Sequence, residues 1–142
     1  MKLVQHLLDS KGGDIISITR DASVFDAIKL MADRAVGSLL VMENEKLIGI
    51  VTERDYARKV ILKGRSSETT KVEEIMSTEV LTSTTVQSVS ECMTLMTEKR
   101  IRHLPVVDGN KVIGLISIAD LVQAIISDQR EEIEQLEHYI SG

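Results

Sequence analysis

The sequence predicts an α/β fold of the α+β kind: two tandem strand–helix–strand–strand–helix units, packed about a pseudo-twofold axis. Three observations predict it. The stretch Gly49-Ile50-Val51-Thr52-Glu53-Arg54-Asp55 recurs as Gly114-Leu115-Ile116-Ser117-Ile118-Ala119-Asp120, 65 residues on. The same offset runs without a gap from Asp14/Glu79 to Ala57/Val122, with identities that include Thr19/Thr84, Val24/Val89, Leu30/Leu95, Met31/Met96, Leu39/Leu104, Val41/Val106, Lys46/Lys111 and Ile48/Ile113. Within each copy the apolar pattern changes in the same order, from a β-branched run to helical spacing to two short strands. Self-similarity at one fixed period marks a repeat architecture, and neither copy alone has enough apolar residues for a core, so the two must pack together.

The chain then reads in order as a terminal helix over residues 1–13, a first repeat over 14–63, a linker over 64–78, a second repeat over 79–127 and a helical extension over 128–142. Val4, Leu7 and Leu8 share one helical face, and Gly12-Gly13 is expected to stop that helix. Ile15-Ile16-Ser17-Ile18 reads as a strand. Asp21-Ala22-Ser23 supplies a helix cap, and Val24, Ala27, Ile28, Met31 and Ala32 follow at helical spacing, with Gly37 as the expected end. Residues 38–42 and 46–51 form a hairpin about the polar turn Glu43-Asn44-Glu45, and a helix follows through Tyr56, Val60 and Ile61. Residues 63–71 are polar and glycine-containing, and 72–76 read as one helical turn.

The second repeat has the same plan: a strand over 80–83, a helix over 88–100, hairpin strands over 103–107 and 112–116 about Asp108-Gly109-Asn110, and a last helix from Asp120 to about Tyr139. That helix carries Ile126, Ile133 and Ile140 seven apart with Leu136 between them, an apolar seam on an otherwise acidic helix. A partner chain and the body of the protein are both open as its cover.

Composition excludes several functions. A net charge of −5 lacks the basic stripe of a nucleic-acid surface, and 2% aromatic residues with no tryptophan leave no base-stacking platform. No apolar run approaches the ~18 residues of a membrane helix, and the N-terminal residues lack a signal-peptide core. The single cysteine, Cys92, fits a reducing compartment, the cytoplasm. It sits on the helix face that the first repeat fills with Ala27, as a small core residue. The three histidines, His6, His103 and His138, show no metal spacing. No phosphate loop or nucleophile elbow occurs, and no acid, base and nucleophile are assembled for turnover.

The repeated heptapeptide carries the chemistry. Thr52 and Asp55, and equally Ser117 and Asp120, place a hydroxyl and a carboxylate three apart where a strand turns into a helix. Such a pair is a capping box. Written twice, it also reads as a ligand site: the carboxylate accepts from the vicinal hydroxyls of a ribose, and the hydroxyl with the first-turn amides holds a phosphate. Arg102 and His103, leading into a buried strand, are candidate anion contacts. The first repeat has Gly37-Ser38 there, and Arg54 and Arg58 are its candidate compensating charges, whereas Ala119 stands opposite Arg54, so the two sites are expected to be unequal. Gly49 and Gly114, inside strands, are expected to allow close packing between the two halves.

Together Gly-Ile-Val-Thr-Glu-Arg-Asp at 49–55, Glu-Glu-Ile-Met-Ser at 73–77, Arg-His-Leu-Pro-Val-Val-Asp at 102–108 and Gly-Leu-Ile-Ser-Ile-Ala-Asp at 114–120 resemble a tandem pair of cystathionine-β-synthase (CBS) domains. The resemblance covers the chain from about Asp14 to Ile126. It implies a regulatory module, not an enzyme, that pairs into a homodimer and binds an adenosine-containing ligand (AMP, ADP or ATP) in the cleft between repeats. Asp55 and Asp120 match the family's ribose-binding aspartates, Thr52 and Ser117 its ribose or phosphate hydroxyls, and Arg102 and His103, before Leu104-Pro105, its basic phosphate contacts. Ile16, Ile18 and Thr19, with Leu81 and Ser83, match residues lining the adenine pocket. Leu40 and Ser38 depart from the pattern in the first repeat. The expected partner is a regulated enzyme or transporter. NAD(H) or S-adenosylmethionine as ligand, a structural dimerisation module with a vestigial pocket, and a small nucleotide hydrolase are the rival readings.

Overall fold

The computed structural model describes residues 2–12 and 14–141. The chain divides into two compact units, Ile15–Val80 and a second made of Met1–Asp14 together with Leu81–Gly142. Each has its own apolar core.

In the first unit, β1 (Ser17–Ile18) pairs in parallel with β2 (Ser38–Glu43), which forms an antiparallel hairpin with β3 (Lys46–Thr52). The hairpin turns on Asn44 and Glu45, both at positive φ (51° and 66°), the two-residue turn whose twist matches the strands. Helix α2 (Val24–Arg34) lies between β1 and β2 in sequence and buries Val24, Ala27 and Met31. Ser23 caps it, its side chain accepting from the Asp26 N–H at 3.1 Å. The helix ends before the expected Gly37. Ala35 takes the left-handed conformation, φ 54°, and the Val36 N–H donates to Met31 O at 3.0 Å, closing a Schellman motif without a glycine.

After Thr52 a single α-turn, α3 (Glu53–Tyr56), opens into a π-helical stretch (Ala57–Ile61) that buries Val60, where a continuous α-helix was expected. Residues 64–78 are packed into this unit. Val24 N–H donates to Thr70 O at 2.8 Å and Val72 N–H to Ala22 O at 2.8 Å, and Val72 and Ile75 join the core around a short 3-10 turn (Val72–Glu74).

In the second unit, α1 (Val4–Lys11) buries Val4, Leu7 and Leu8 against α4 (Val89–Lys99) and the hairpin of β4 (His103–Asp108) and β5 (Lys111–Ser117). Gly12 ends α1 at φ 91°; Gly13 lies outside the described residues. Cys92 is fully buried, as is Ala27 at the matching place in the first unit. Burial pushes its thiol up from the ordinary value, against a smaller opposing effect of Ser83, so it is an unreactive core residue. Helix α5 (Ile118–Ser141) begins two residues before Asp120.

The strand expected over 80–83 is reduced to one parallel bridge, Ser83 to Val106. Proline is the reason. In the first unit Leu40 N–H donates to Ile16 O at 3.2 Å, and the matching donor in the second unit is Pro105, which has no N–H. The Leu81 carbonyl loses that ladder partner, and only Ser83 N–H to Pro105 O (2.8 Å) and Val107 N–H to Ser83 O (2.9 Å) remain.

The two strand glycines allow close approach within each unit, rather than the expected contact between halves. A Cβ at Gly49 would lie 2.8 Å from Met76 Sδ and 2.9 Å from the Ser77 carbonyl oxygen. One at Gly114 would lie 2.6 Å from Leu8 Cδ2. Ser77 is held by reciprocal backbone bonds to Ile50 (2.9 and 3.0 Å), so that carbonyl has no room to yield, whereas the Leu8 side chain can turn. Gly49→Ala is therefore expected to cost about 1–3 kcal/mol, the usual range for overpacking, and Gly114→Ala less. Urea unfolding of the two variants measures the order, and the reverse order contradicts this account.

Candidate functional site

Each hairpin delivers its last strand to the start of a helix, and backbone donors there need acceptors. Thr52, the last residue of β3, accepts from the Asp55 N–H at 3.1 Å, and the Asp55 carboxylate accepts from the Thr52 N–H at 3.0 Å and its hydroxyl at 3.1 Å. Ser117, the last residue of β5, makes the same exchange with Asp120: N–H to Oδ2 at 2.8 Å, and Asp120 N–H to Oγ at 3.1 Å. Both carboxylates are thereby held half-buried, the Asp55 side chain 13% and the Asp120 side chain 22% exposed.

The capping box uses groups that the ligand reading assigned to a phosphate. The hydroxyls already accept from the third helical residue. The first helical amides donate within the protein as well, Glu53 to Gly37 O at 3.1 Å and Ile118 to Arg102 O at 2.9 Å. An anion therefore meets fewer open first-turn donors than the sequence implied.

Each aspartate also has a lysine that sequence reasoning missed. Lys59 Nζ lies 3.1 Å from Asp55 Oδ1 and donates to Ile75 O at 2.8 Å. Its spacing of four from Asp55 on a helix is a readable signal. Lys11, at the end of α1, pairs with Asp120 Oδ2 and donates to Leu115 O at 2.7 Å. Nothing local in the sequence joins residues so far apart. Burial pushes the Asp120 carboxyl up, but the bonds from Lys11 and the Ser117 amide outweigh it, and the group sits below its ordinary value.

The remaining candidates divide by burial. His103 opens β4 opposite Ser117 and is half-buried. Arg54, Arg58 and Arg102 are exposed, as are Thr19 and Leu81, while Ile16 and Ile18 are half-buried and pack on the first core. Leu104 and Pro105 are buried, and Leu104 belongs to the second core. Ser83 is 1% exposed and spends its hydroxyl on Gln87 Oε1 (2.5 Å) and against Cys92 Sγ (3.3 Å). Ser38, which the sequence marks only as a departure from the family pattern, pairs with Thr52 in the hairpin register. Its hydroxyl is buried with no hydrogen-bond partner among the described residues. Also among the described residues, no His, Cys, Asp and Glu group is placed to hold a metal ion, and no helix is long and apolar enough to cross a membrane.

Two like α+β units, each closing its hairpin with a hydroxyl–aspartate exchange, define a tandem-repeat protein. The family model for the CBS domain matches residues 9–62 and 72–127, and the chain belongs to that family. It is 43% identical over 148 residues to the mitochondrial CBS domain-containing protein CBSX3 of Arabidopsis thaliana, covering 98% of this chain and 72% of that one. A solved CBS-domain protein from Burkholderia ambifaria shares 53% identity at a TM-score of 0.87, over 90% of this chain and 96% of that one. The hexameric CBS-CP12 protein of bloom-forming cyanobacteria shares 30% identity at a TM-score of 0.77, over 86% of this chain and 70% of that one.

A carboxyl held below its ordinary value in the folded state adds stability that is present above the unfolded value and lost as pH falls through the folded one. Lys11→Met is therefore expected to move the Asp120 titration up and to lower stability near neutral pH. The deficit should shrink on acidification, once Asp120 is protonated in both proteins. NMR titration of the carboxyl, with urea midpoints taken across pH, measures both. An Asp120 titration that does not move refutes the pairing.

Proposed function

We propose that this CBS pair is a regulatory module that binds an adenosine-containing ligand (AMP, ADP or ATP) and relays energy status to a partner enzyme or transporter. Asp55 and Asp120 hold the ribose hydroxyls, with Thr52 and Ser117 fixing each carboxylate. Arg102 and His103 on one site, and Arg54 and Arg58 on the other, supply phosphate contacts. Ile16, Ile18, Thr19 and Leu81 lie against the base, while Ser83, Leu104 and Pro105 support the pocket from behind.

The observation that carries this reading is Ser38. A cap needs only Thr52 and Asp55, yet the hydroxyl in register with Thr52 is buried without a partner. An unmet buried donor costs about 1–3 kcal/mol, a cost that a polar ligand group would remove. A second reading, a structural module with a vestigial pocket, draws on the other half of the geometry: both aspartates are already satisfied by caps and lysines. Protection by ligand separates the two. An adenine nucleotide at 100 times its dissociation constant should stabilise the fold by about 2.7 kcal/mol. Thermal-shift titration with AMP, ADP, ATP, S-adenosylmethionine, NADH and a guanine control reads this out. Asp120→Ala should remove most of the response, and a panel with no adenine response favours the structural module.

We also infer that the chain works as a homodimer in the cytoplasm. The likeness to a hexameric protein supports self-association, and a lone buried cysteine fits a reducing compartment. Sedimentation at micromolar concentration should give twice the chain mass; a monomer there refutes the dimer.

A further inference from the structure

Helix α5 outruns the unit that it belongs to. Leu121 and Ala124 are buried, but from residue 129 to residue 141 every side chain is exposed. A bare helix of that length is marginal in water even with good helix formers. This one carries large apolar side chains into solvent: Ile133 at 53% exposure, Leu136 at 62%, Tyr139 at 85% and Ile140 at 83%.

Those residues are ordered. With Ile126, Ile133 and Ile140 at heptad position a, Val122, Gln129 and Leu136 fall at d, and all but Gln129 are exposed large apolar side chains. The acidic residues Asp128, Glu131 and Glu134 lie on the other side of the helix, where Lys2 pairs with Asp128 (3.6 Å) and Glu131 (3.8 Å). The seam is flanked by Arg130 and Glu137 on one edge and by Glu132 and Tyr139 on the other. From Ile126 to Ile140 it runs about 21 Å at 1.5 Å per residue.

We propose that this seam pairs, antiparallel, with the same seam of a second copy of the chain. Charge selects both the occupant and the direction. In parallel pairing, the edge residue Glu132 meets Glu137 of the other helix, a like-charge contact made twice. In antiparallel pairing, like edges meet: Arg130 comes beside Glu137, again twice, and Glu132 beside Tyr139. The surface is thus complementary to itself, as a twofold interface requires. In this register Ile133 of one helix meets Leu136 of the other, and Ile140 meets Gln129. This pairing rests on the self-association proposed above and gives it a surface, independent of any ligand.

Hydrogen exchange on the full chain at low and high protein concentration tests it. Amides 130–141 should gain at least about tenfold protection as concentration rises, in step with the mass seen by sedimentation, the protection tracking the population of the paired state. Ile133→Asp with Leu136→Asp, both at exposed positions, should abolish that gain and leave core protection unchanged. In mixed oxidation, Arg130→Cys with Glu137→Cys should cross-link in preference to Glu132→Cys with Glu137→Cys; Cys92 is buried. Protection that ignores concentration would mean that the tail packs on its own chain and would overturn the proposal. So would a dominant Glu132–Glu137 cross-link. Self-association with an unprotected tail overturns this pairing alone, and a monomer at every concentration overturns the dimer as well.

Discussion

The exchange of hydrogen bonds between a hydroxyl residue and an aspartate three positions on is the constraint around which both units are arranged. A buried strand that becomes a helix exposes amide donors that water cannot reach easily. Thr52–Asp55 and Ser117–Asp120 meet that demand in the same way. The cost is a charged carboxylate fixed in a half-buried place, and such a charge needs a counter-charge. The two units find theirs in different parts of the chain. Lys59 comes from the π-helical stretch directly after Asp55, and Lys11 from a helix that precedes both repeats.

This difference breaks the symmetry of the repeat where chemistry matters. The first unit has a buried Ser38 opposite Thr52; the second has His103 opposite Ser117. Where the first unit has the exposed Arg54, the second has Ala119 at the matching position of the repeat. Two capping boxes built on one plan thus stand in different electrostatic surroundings.

Much of the fold was legible because it rests on local rules. The Ser23 cap, both hairpins and the match of Cys92 to Ala27 follow from spacing and residue type. What escaped depends on less local facts. Ala35 and Arg100 close their helices in the left-handed conformation, a role in which only a glycine would have announced itself. Pro105 was visible, but its effect on the strand over 80–83 appears only once the register with the preceding segment is known. The π-helical stretch has no marker in the residues 57–61. At the site, the caps and aspartates were readable, whereas Lys11 reaches Asp120 only through the tertiary fold.

The division of the chain has a consequence for how the protein is made. The unit Ile15–Val80 is contiguous, so all its residues have left the ribosome before the next unit is finished. The other unit needs both its opening segment, Met1–Asp14, and the stretch Leu81–Gly142, with Ile15–Val80 intervening between them. Until translation reaches β5 and α5, Val4, Leu7 and Leu8 have no complete core to enter. Nascent α1 must therefore wait as an unpaired greasy segment, an interval in which chaperones find their substrates. A contiguous unit that collapses early shortens the loop those ends must close, and so eases the final docking.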